Sequence, residues 1–360
     1  YVYLRNQQWV GNVNKQRGWS AFNRVGPTEE NFEDYEVLQT FRQEVSRFIA
    51  SHARAAKNGT PFFLYFALTA PHTPTSPHPD FQGKTSLGVY GDFVYETDHC
   101  IVSTLEALKQ HGLDDNTIVI FTSDHGPAPY AGNILKATYN NVKGLEQQGH
   151  FPAGGLRGYK FSVYEGGMRI PFLIKWPNHI KPGTTCDRLI GLNDLMATLA
   201  DITDSNLTPD QAVDSISYLP LLKNPNARAT RTHLQMKGTH GWSYRLDHWK
   251  LCLCPGSGAV GVYGNLPKPA DAWTAAVTAF GSNPTKDQLL ESAFIQLYNL
   301  DNDLAEQNDV SAEHPEVVQQ MFRLMQQQFA SGRSTPGRKQ INDRPNINYW
   351  GRIPAGILAN

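Results

Sequence analysis

The sequence predicts an α/β protein with a mostly parallel central sheet. Three observations carry that prediction. Phe62 to Leu68 and Thr117 to Thr122 are short runs of aromatic, aliphatic and β-branched residues, the composition of strands buried on both faces. Between them, from about Asp92 to Gln110, Val94, Ile101, Leu105 and Leu108 recur at helical spacing. Strand, helix, strand in that order points to a parallel pair joined by a right-handed crossover. Ligands of open α/β sheets bind just beyond the carboxyl ends of the strands. The segments after Leu68 and Thr122 are therefore the first places to look for chemistry.

Taken in order, residues 1–33 are rich in Asn, Gln, Gly and aromatics without periodicity and read as a surface loop that leans on the fold. From Asp34 to Lys57, Val37, Leu38, Phe41, Val45, Phe48 and Ile49 mark an amphipathic helix, with Asp34 as a plausible cap. Asn58-Gly59-Thr60-Pro61 ends it. The first strand exits into Thr69-Ala70-Pro71-His72-Thr73-Pro74, a rigid loop whose prolines bracket a histidine. The second exits into Ser123-Asp124-His125-Gly126, a polar turn that sets a carboxylate beside an imidazole. The plain alternative there is a capped turn with a surface histidine. Residues 127–158 form a long Gly-, Asn- and Gln-rich loop, a length seldom found without a function or disorder. A third strand is expected at Phe172 to Lys175 and a helix at about Leu192 to Ala200.

After Pro225 the character changes. His233 to Met236, Tyr244 to Cys254 and Phe294 to Leu300 read as strands of a small antiparallel sheet. Glu316 to Phe329 reads as a helix with Val317, Val318, Met321, Leu324 and Met325 inward. The expected division is a larger domain over 1–224, an α+β subdomain over 225–330 and an extended tail over 331–360.

Composition narrows the function. The net charge of −1 leaves no electrostatic footprint for nucleic acid. The longest apolar run, Phe62 to Ala70, is too short to span a bilayer, which takes about 20 residues. Four cysteines in 360 residues make no disulfide framework, and Cys252 and Cys254 point to one face of a strand. Asn58-Gly59-Thr60 and Asn206-Leu207-Thr208 match the common glycosylation pattern.

Four segments, in order and spacing, resemble the sulfatase family of the alkaline-phosphatase-like superfamily. They are Ala70-Pro71-His72-Thr73-Pro74, Thr122-Ser123-Asp124-His125-Gly126-Pro127, Leu156-Arg157-Gly158-Tyr159-Lys160 through Glu165-Gly166-Gly167-Met168-Arg169-Ile170-Pro171, and Asp194-Leu195-Met196-Ala197-Thr198-Leu199-Ala200-Asp201. Trp249-Lys250-Leu251 followed by Cys254-Pro255-Gly256-Ser257-Gly258 looks like a C-terminal stretch of bacterial members. The resemblance implies a three-layer domain and hydrolysis of a sulfate monoester, with sulfated carbohydrate as the expected substrate class. It also implies export to the periplasm or beyond the cell. A phosphonate or phosphodiester hydrolase of the same superfamily is the first alternative. An inactive fragment or pseudoenzyme with a binding role is the second.

The chemistry accounts for the residue types. Sulfate ester cleavage needs cations against three oxygens, a nucleophile opposite the leaving group and an acid for that group. By resemblance, Asp124 and His125 are half of the ligands of a calcium ion, with His125 the less natural of the two for a hard cation. Lys160 resembles the family lysine that contacts sulfate, against the plain alternative of a solvated surface lysine. His72 resembles the histidine beside the scissile oxygen and is the candidate general acid, against a hydrogen-bonded loop histidine. Glu165 and Arg169, four apart, are expected to pair and fix the lysine segment. His150 and His240 are candidates to line the substrate pocket, although a surface histidine is the plainer reading of each.

The family nucleophile is a formylglycine made from the first residue of Cys/Ser-x-Pro-Ser-Arg, after a strand ending in an Asp-Asp calcium pair. Neither motif stands upstream of Asp34. Ser334-Thr335-Pro336-Gly337-Arg338 fits only a loosened form and sits in the polar tail. The chain therefore reads as the C-terminal part of a sulfatase, inactive alone, whose sheet and calcium site are completed by an N-terminal portion of the same protein.

Overall fold

A computed structural model describes residues 1–18, 25–129, 142–239, 241–254, 256–259 and 295–341. The chain divides into two units, Tyr1–Ile118 with Ala128–Pro152, and Val119–Pro127 with Ala153–Asn360.

The first unit opens with two antiparallel ribbons where a plain loop was expected. Strand β1 (Leu4–Arg5) pairs with β2 (Gln8–Trp9) across Asn6 and Gln7, whose φ values of 49° and 69° are those of a tight hairpin turn. Strand β3 (Val13–Arg17) pairs with β4 (Gly26–Glu29). Their composition hides them, because short exposed ribbons need no apolar alternation. Helix α1 (Val37–Lys57) buries Leu38, Val45, Ile49 and Ala53, as its spacing requires. Asp34 does not cap it. A 3-10 turn intervenes, and the Asp34 carboxylate is taken by Arg17 at 2.8 Å.

Helix α2 (Gly88–Gln110) packs along α1. Of the stripe its aliphatics mark, Leu108 is buried and Ile101 and Leu105 are half-buried, but the stripe does not make up the whole inner face. Val94 is exposed, whereas Asp92 and Glu96 are buried. The carboxylates sit inside because they satisfy backbone donors. Asp92 accepts the Gly83 and Thr85 N–H groups at 2.7 and 2.8 Å, and Glu96 accepts that of His78 at 2.9 Å and the Gln39 side chain at 3.1 Å. The loop between Pro71 and Leu87 is thereby tied to α2. A short helix α3 (Val142–Gln147) lies within the predicted long loop.

Phe62 to Leu68 is neither a buried strand nor paired with any described strand. Its side chains alternate. Leu68 packs with Leu38, Phe93 and Cys100, while Phe63 and Tyr65 are 70% and 81% exposed. An apolar run shows strand propensity; a ladder partner is what makes it a strand.

The second unit begins with β5 (Val119–Thr122). Helix α4 (Glu165–Met168) and β6 (Phe172–Lys175) follow. Strands β5 and β6 pair antiparallel, Val119 opposite Lys175. Among the described residues every strand pair is antiparallel, so the expected parallel sheet is not seen there. Helix α5 (Leu195–Ile202) follows a 3-10 turn ending at Asp194, whose buried carboxylate receives Arg231 and the N–H groups of Gly191 and Ile216. Helix α6 (Leu219–Lys223) leads to the small sheet of β7 (His233–Lys237), β8 (Trp242–Leu246), β9 (Trp249–Leu253) and β10 (Ile295–Asn299), in the order β10-β9-β8-β7.

Helix α7 (Pro315–Ser331) starts on proline and ends at Gly332, whose φ of 65° suits glycine. Its Met321 and Met325, as the helical spacing predicts, and Phe322, which is not among the predicted inward residues, cover Tyr244, Leu251, Leu253 and Leu297 on one face of the sheet. Val317, Val318 and Leu324 are partly buried against them. The opposite face carries Cys252, Cys254 and Tyr298, packed against Val163 and Tyr164. With both faces covered, β9 is apolar throughout except for Lys250. Residues 331–341 fold back: the Ser334 N–H meets Asp214, and the Thr335 hydroxyl meets the Val213 carbonyl.

Candidate functional site

Three segments of the second unit meet through their backbones. Gly126 ends the polar turn after β5, and a Cβ there would lie 1.8 Å from the Gly166 carbonyl oxygen. One on Gly166 would lie 2.1 Å from the Gly158 carbonyl, and one on Gly167 2.5 Å from that of Tyr159. Only glycine permits this approach. Hydrogen bonds close it: Gly126 N–H to the Gly167 carbonyl at 3.0 Å, Lys160 N–H to that of Pro127 at 2.8 Å, and Gly166 N–H to that of Arg157 at 2.7 Å. The Asp124-His125 turn, the Lys160 segment and α4 are thus one packed body.

The side chains follow from that frame. Asp124 is largely exposed, and its Oδ2 stands 3.3 Å from His125 Nε2. The His125 Nδ1 is engaged by the Gly126 carbonyl at 2.7 Å, so Nε2 and the carboxylate face outward together. Two outward donors fit a cation as part of a set. Calcium takes about six to eight oxygens, so the rest must come from elsewhere. Among the described residues no group of three or more His, Cys, Asp or Glu side chains is placed to hold a metal. Lys160 is half-buried, with its ammonium 5.3 Å from the Phe161 ring centroid. Phe161 has a φ of 81°, a strained value for an aromatic residue, and its carbonyl accepts the Thr239 N–H.

His72 and His150 lie in the first unit. The exposed His72 pairs Nδ1 with the Thr73 carbonyl at 2.7 Å, which directs Nε2 to any proton transfer. The His150 ring lies 6.0 Å from that of Tyr90. His240 lies outside the described residues.

Glu165 and Arg169 pair as their spacing predicts, at 2.8 Å. Sequence reasoning missed what stands behind them. The fully buried Lys250 ammonium lies 2.8 Å from Glu165 and 3.0 Å from Glu306. Burial pushes the Glu165 carboxyl up, but Lys250 and Arg169 outweigh it and hold the group at about 2. Burial also disfavours the charged Lys250, yet Glu306 and Glu165 leave its pKa raised. The available signal was a lysine in the middle of the apolar run Trp249-Lys250-Leu251-Cys252-Leu253.

No described thiol in the core suits a nucleophile. Cys100, Cys252 and Cys254 are buried, and burial pushes Cys100 up to about 11 and Cys254 to about 12.

The profile of the family described as Sulfatase matches residues 3–205, more than half of the chain. The chain belongs to the sulfatase family. This sulfatase-family chain is 32% identical over 309 residues to an N-acetylgalactosamine-6-O-sulfatase of Bacteroides thetaiotaomicron, covering 86% of the chain and 53% of that protein. It is 34% identical over 216 residues to the human N-acetylgalactosamine-6-sulfatase, covering 59% of the chain and 38% of the relative. A solved structure from work on the metabolism of multiple glycosaminoglycans by Bacteroides thetaiotaomicron superposes with a TM-score of 0.67 at 29% identity, over 84% of the chain and 56% of that structure. A Pseudoalteromonas sulfatase shares the fold, with a TM-score of 0.61 at 19% identity, over 85% of the chain and 57% of that structure. The chain spans about half the length of the first of these relatives.

Proposed function

We propose that this chain is the C-terminal part of a hydrolase of sulfate monoesters on a carbohydrate, and that N-acetylgalactosamine 6-sulfate is the first substrate to test. The observation that carries the reading is the glycine-to-glycine packing that sets Lys160 beside the Asp124-His125 turn. That backbone frame supports a reading in which the Lys160 ammonium and the Asp124-His125 donors serve one site. The name of the Bacteroides relative supports the sugar.

In this reading Lys160 binds sulfate and lowers the energy of the charge that develops on its oxygens. Asp124 and His125 hold a calcium ion, which supplies the central positive charge when bound. His72 gives a proton from Nε2 to the leaving oxygen. The formylglycine nucleophile belongs to an N-terminal portion, supported by the absence of its motif from this sequence and by the buried, protonated core thiols. That portion would add strands to a mostly parallel central sheet, leaving the division at about residue 224 and an exported, periplasmic or secreted enzyme. His150 and His240 are assigned to the substrate pocket.

The test is turnover by the complete protein of an aryl sulfate, an aryl phosphodiester and N-acetylgalactosamine 6-sulfate. Sulfate release is expected, and Lys160→Ala is expected to lower it by about 10²-fold or more. Preference for the phosphodiester would assign the chain to the other branch of the superfamily. Sugar binding without turnover would make it a binding protein.

A further inference from the structure

Lys250 poses a question that stability does not answer. It is fully buried in the middle of β9, between two carboxylates. Buried ion pairs can often be replaced by apolar residues without loss of stability. Its partners show what it does instead. Glu165 is the first residue of α4. Glu306 follows β10 in a left-handed backbone conformation, φ 52°, and its Oε2 accepts the Glu165 backbone N–H. Its Oε1 lies 3.0 Å from the Lys250 ammonium. The Glu306 carbonyl accepts the Arg157 guanidinium, which also lies 4.1 Å from the Tyr164 ring centroid. Arg157 and Glu165 bracket the segment that contains Lys160. The Gly167 carbonyl, two residues into α4 from Glu165, receives Gly126.

We propose that Lys250, Glu165 and Glu306 form a buried ionic latch by which the small C-terminal sheet sets the position of Lys160 against the Asp124-His125 turn. The three are positioning residues and touch no reacting atom. The inference rests on the proposed role of Lys160 and Asp124, but the latch is a statement about backbone placement and can be tested without turnover.

The experiment is amide hydrogen exchange on the complete protein and on Lys250→Met, alongside kcat and KM for an aryl sulfate at a temperature where circular dichroism shows the variant folded. A latch predicts that exchange over 124–129 and 157–169 rises by about tenfold or more, while α5 and α7 keep their protection. It also predicts that kcat falls by about 10²-fold, the cost of a small misplacement. If Lys250→Met does not fold, Lys250→Met with Glu306→Gln, which removes the opposed charges together, carries the same measurement. Equal loss of protection in α5 and α7 would reduce Lys250 to a general stabiliser and overturn the proposal, as would unchanged exchange over 157–169. An unmodified protein without aryl sulfate turnover would sink the proposed function, and the exchange pattern would still decide the latch.

Discussion

Gly126 is the residue on which the candidate site turns. Any side chain there meets the Gly166 carbonyl, a backbone atom that cannot rotate away. Gly126→Ala should therefore cost about 1–3 kcal/mol, read as a lower urea midpoint, and should abolish turnover by separating Lys160 from Asp124. A wild-type midpoint would mean that the three segments do not pack this closely. His72 makes a different prediction. As a general acid it matters most when the departing oxygen is basic. His72→Ala should slow alkyl and sugar sulfates far more than nitrophenyl sulfate; an equal loss across that series would make it a sulfate-positioning group.

At the scale of elements, the four-stranded sheet holds α7 on one face and the Lys160 segment on the other. The charge on Glu165 is part of that second contact. Its folded pKa of about 2 lies below the ordinary glutamate value of 4.5. A depressed carboxyl contributes stability that is present above the unfolded pKa and is lost as pH falls through the folded one. Stability should thus decline between about pH 4.5 and pH 2, by roughly 3 kcal/mol from this group. Urea titrations of wild type and Glu165→Gln across that window provide the check: the variant should start less stable at pH 7 and lose less on acidification. Parallel curves would remove Glu165 as the cause.

At the scale of the molecule, two features of residues 1–360 bear on activity. Asp124 is the sole carboxylate assigned to the cation, and the stretch at 62–68, which has no ladder partner among the described residues, leaves Phe63 and Tyr65 exposed. Exposed apolar side chains of this kind invite association. Residues 1–360 purified alone should release no sulfate, bind calcium weakly and aggregate by light scattering. An N-terminal portion supplied in cis should restore solubility and turnover. Robust sulfate release by the homogeneous 360-residue chain would overturn this and make Ser334→Ala the next variant to measure.

The sequence by itself determined what depends on short-range pattern. The helical stripe of α1, the inward face of α7, the pairing of Glu165 with Arg169, and the turn and lysine motifs that carry the family could all be read from residues a few positions apart. Tertiary structure decided what depends on distant partners. Strand propensity at 62–68 meets no described ladder partner. Buried Asp92 and Glu96 share the inner side of α2 with Leu108 while Val94 is exposed, because carboxylates can sit inside once backbone donors satisfy them. Lys250 finds Glu165 across 85 residues, and Glu165 finds Glu306 across 141. No local periodicity encodes such a meeting: the cost of burying a charge is offset only by groups that the fold brings from elsewhere in the chain.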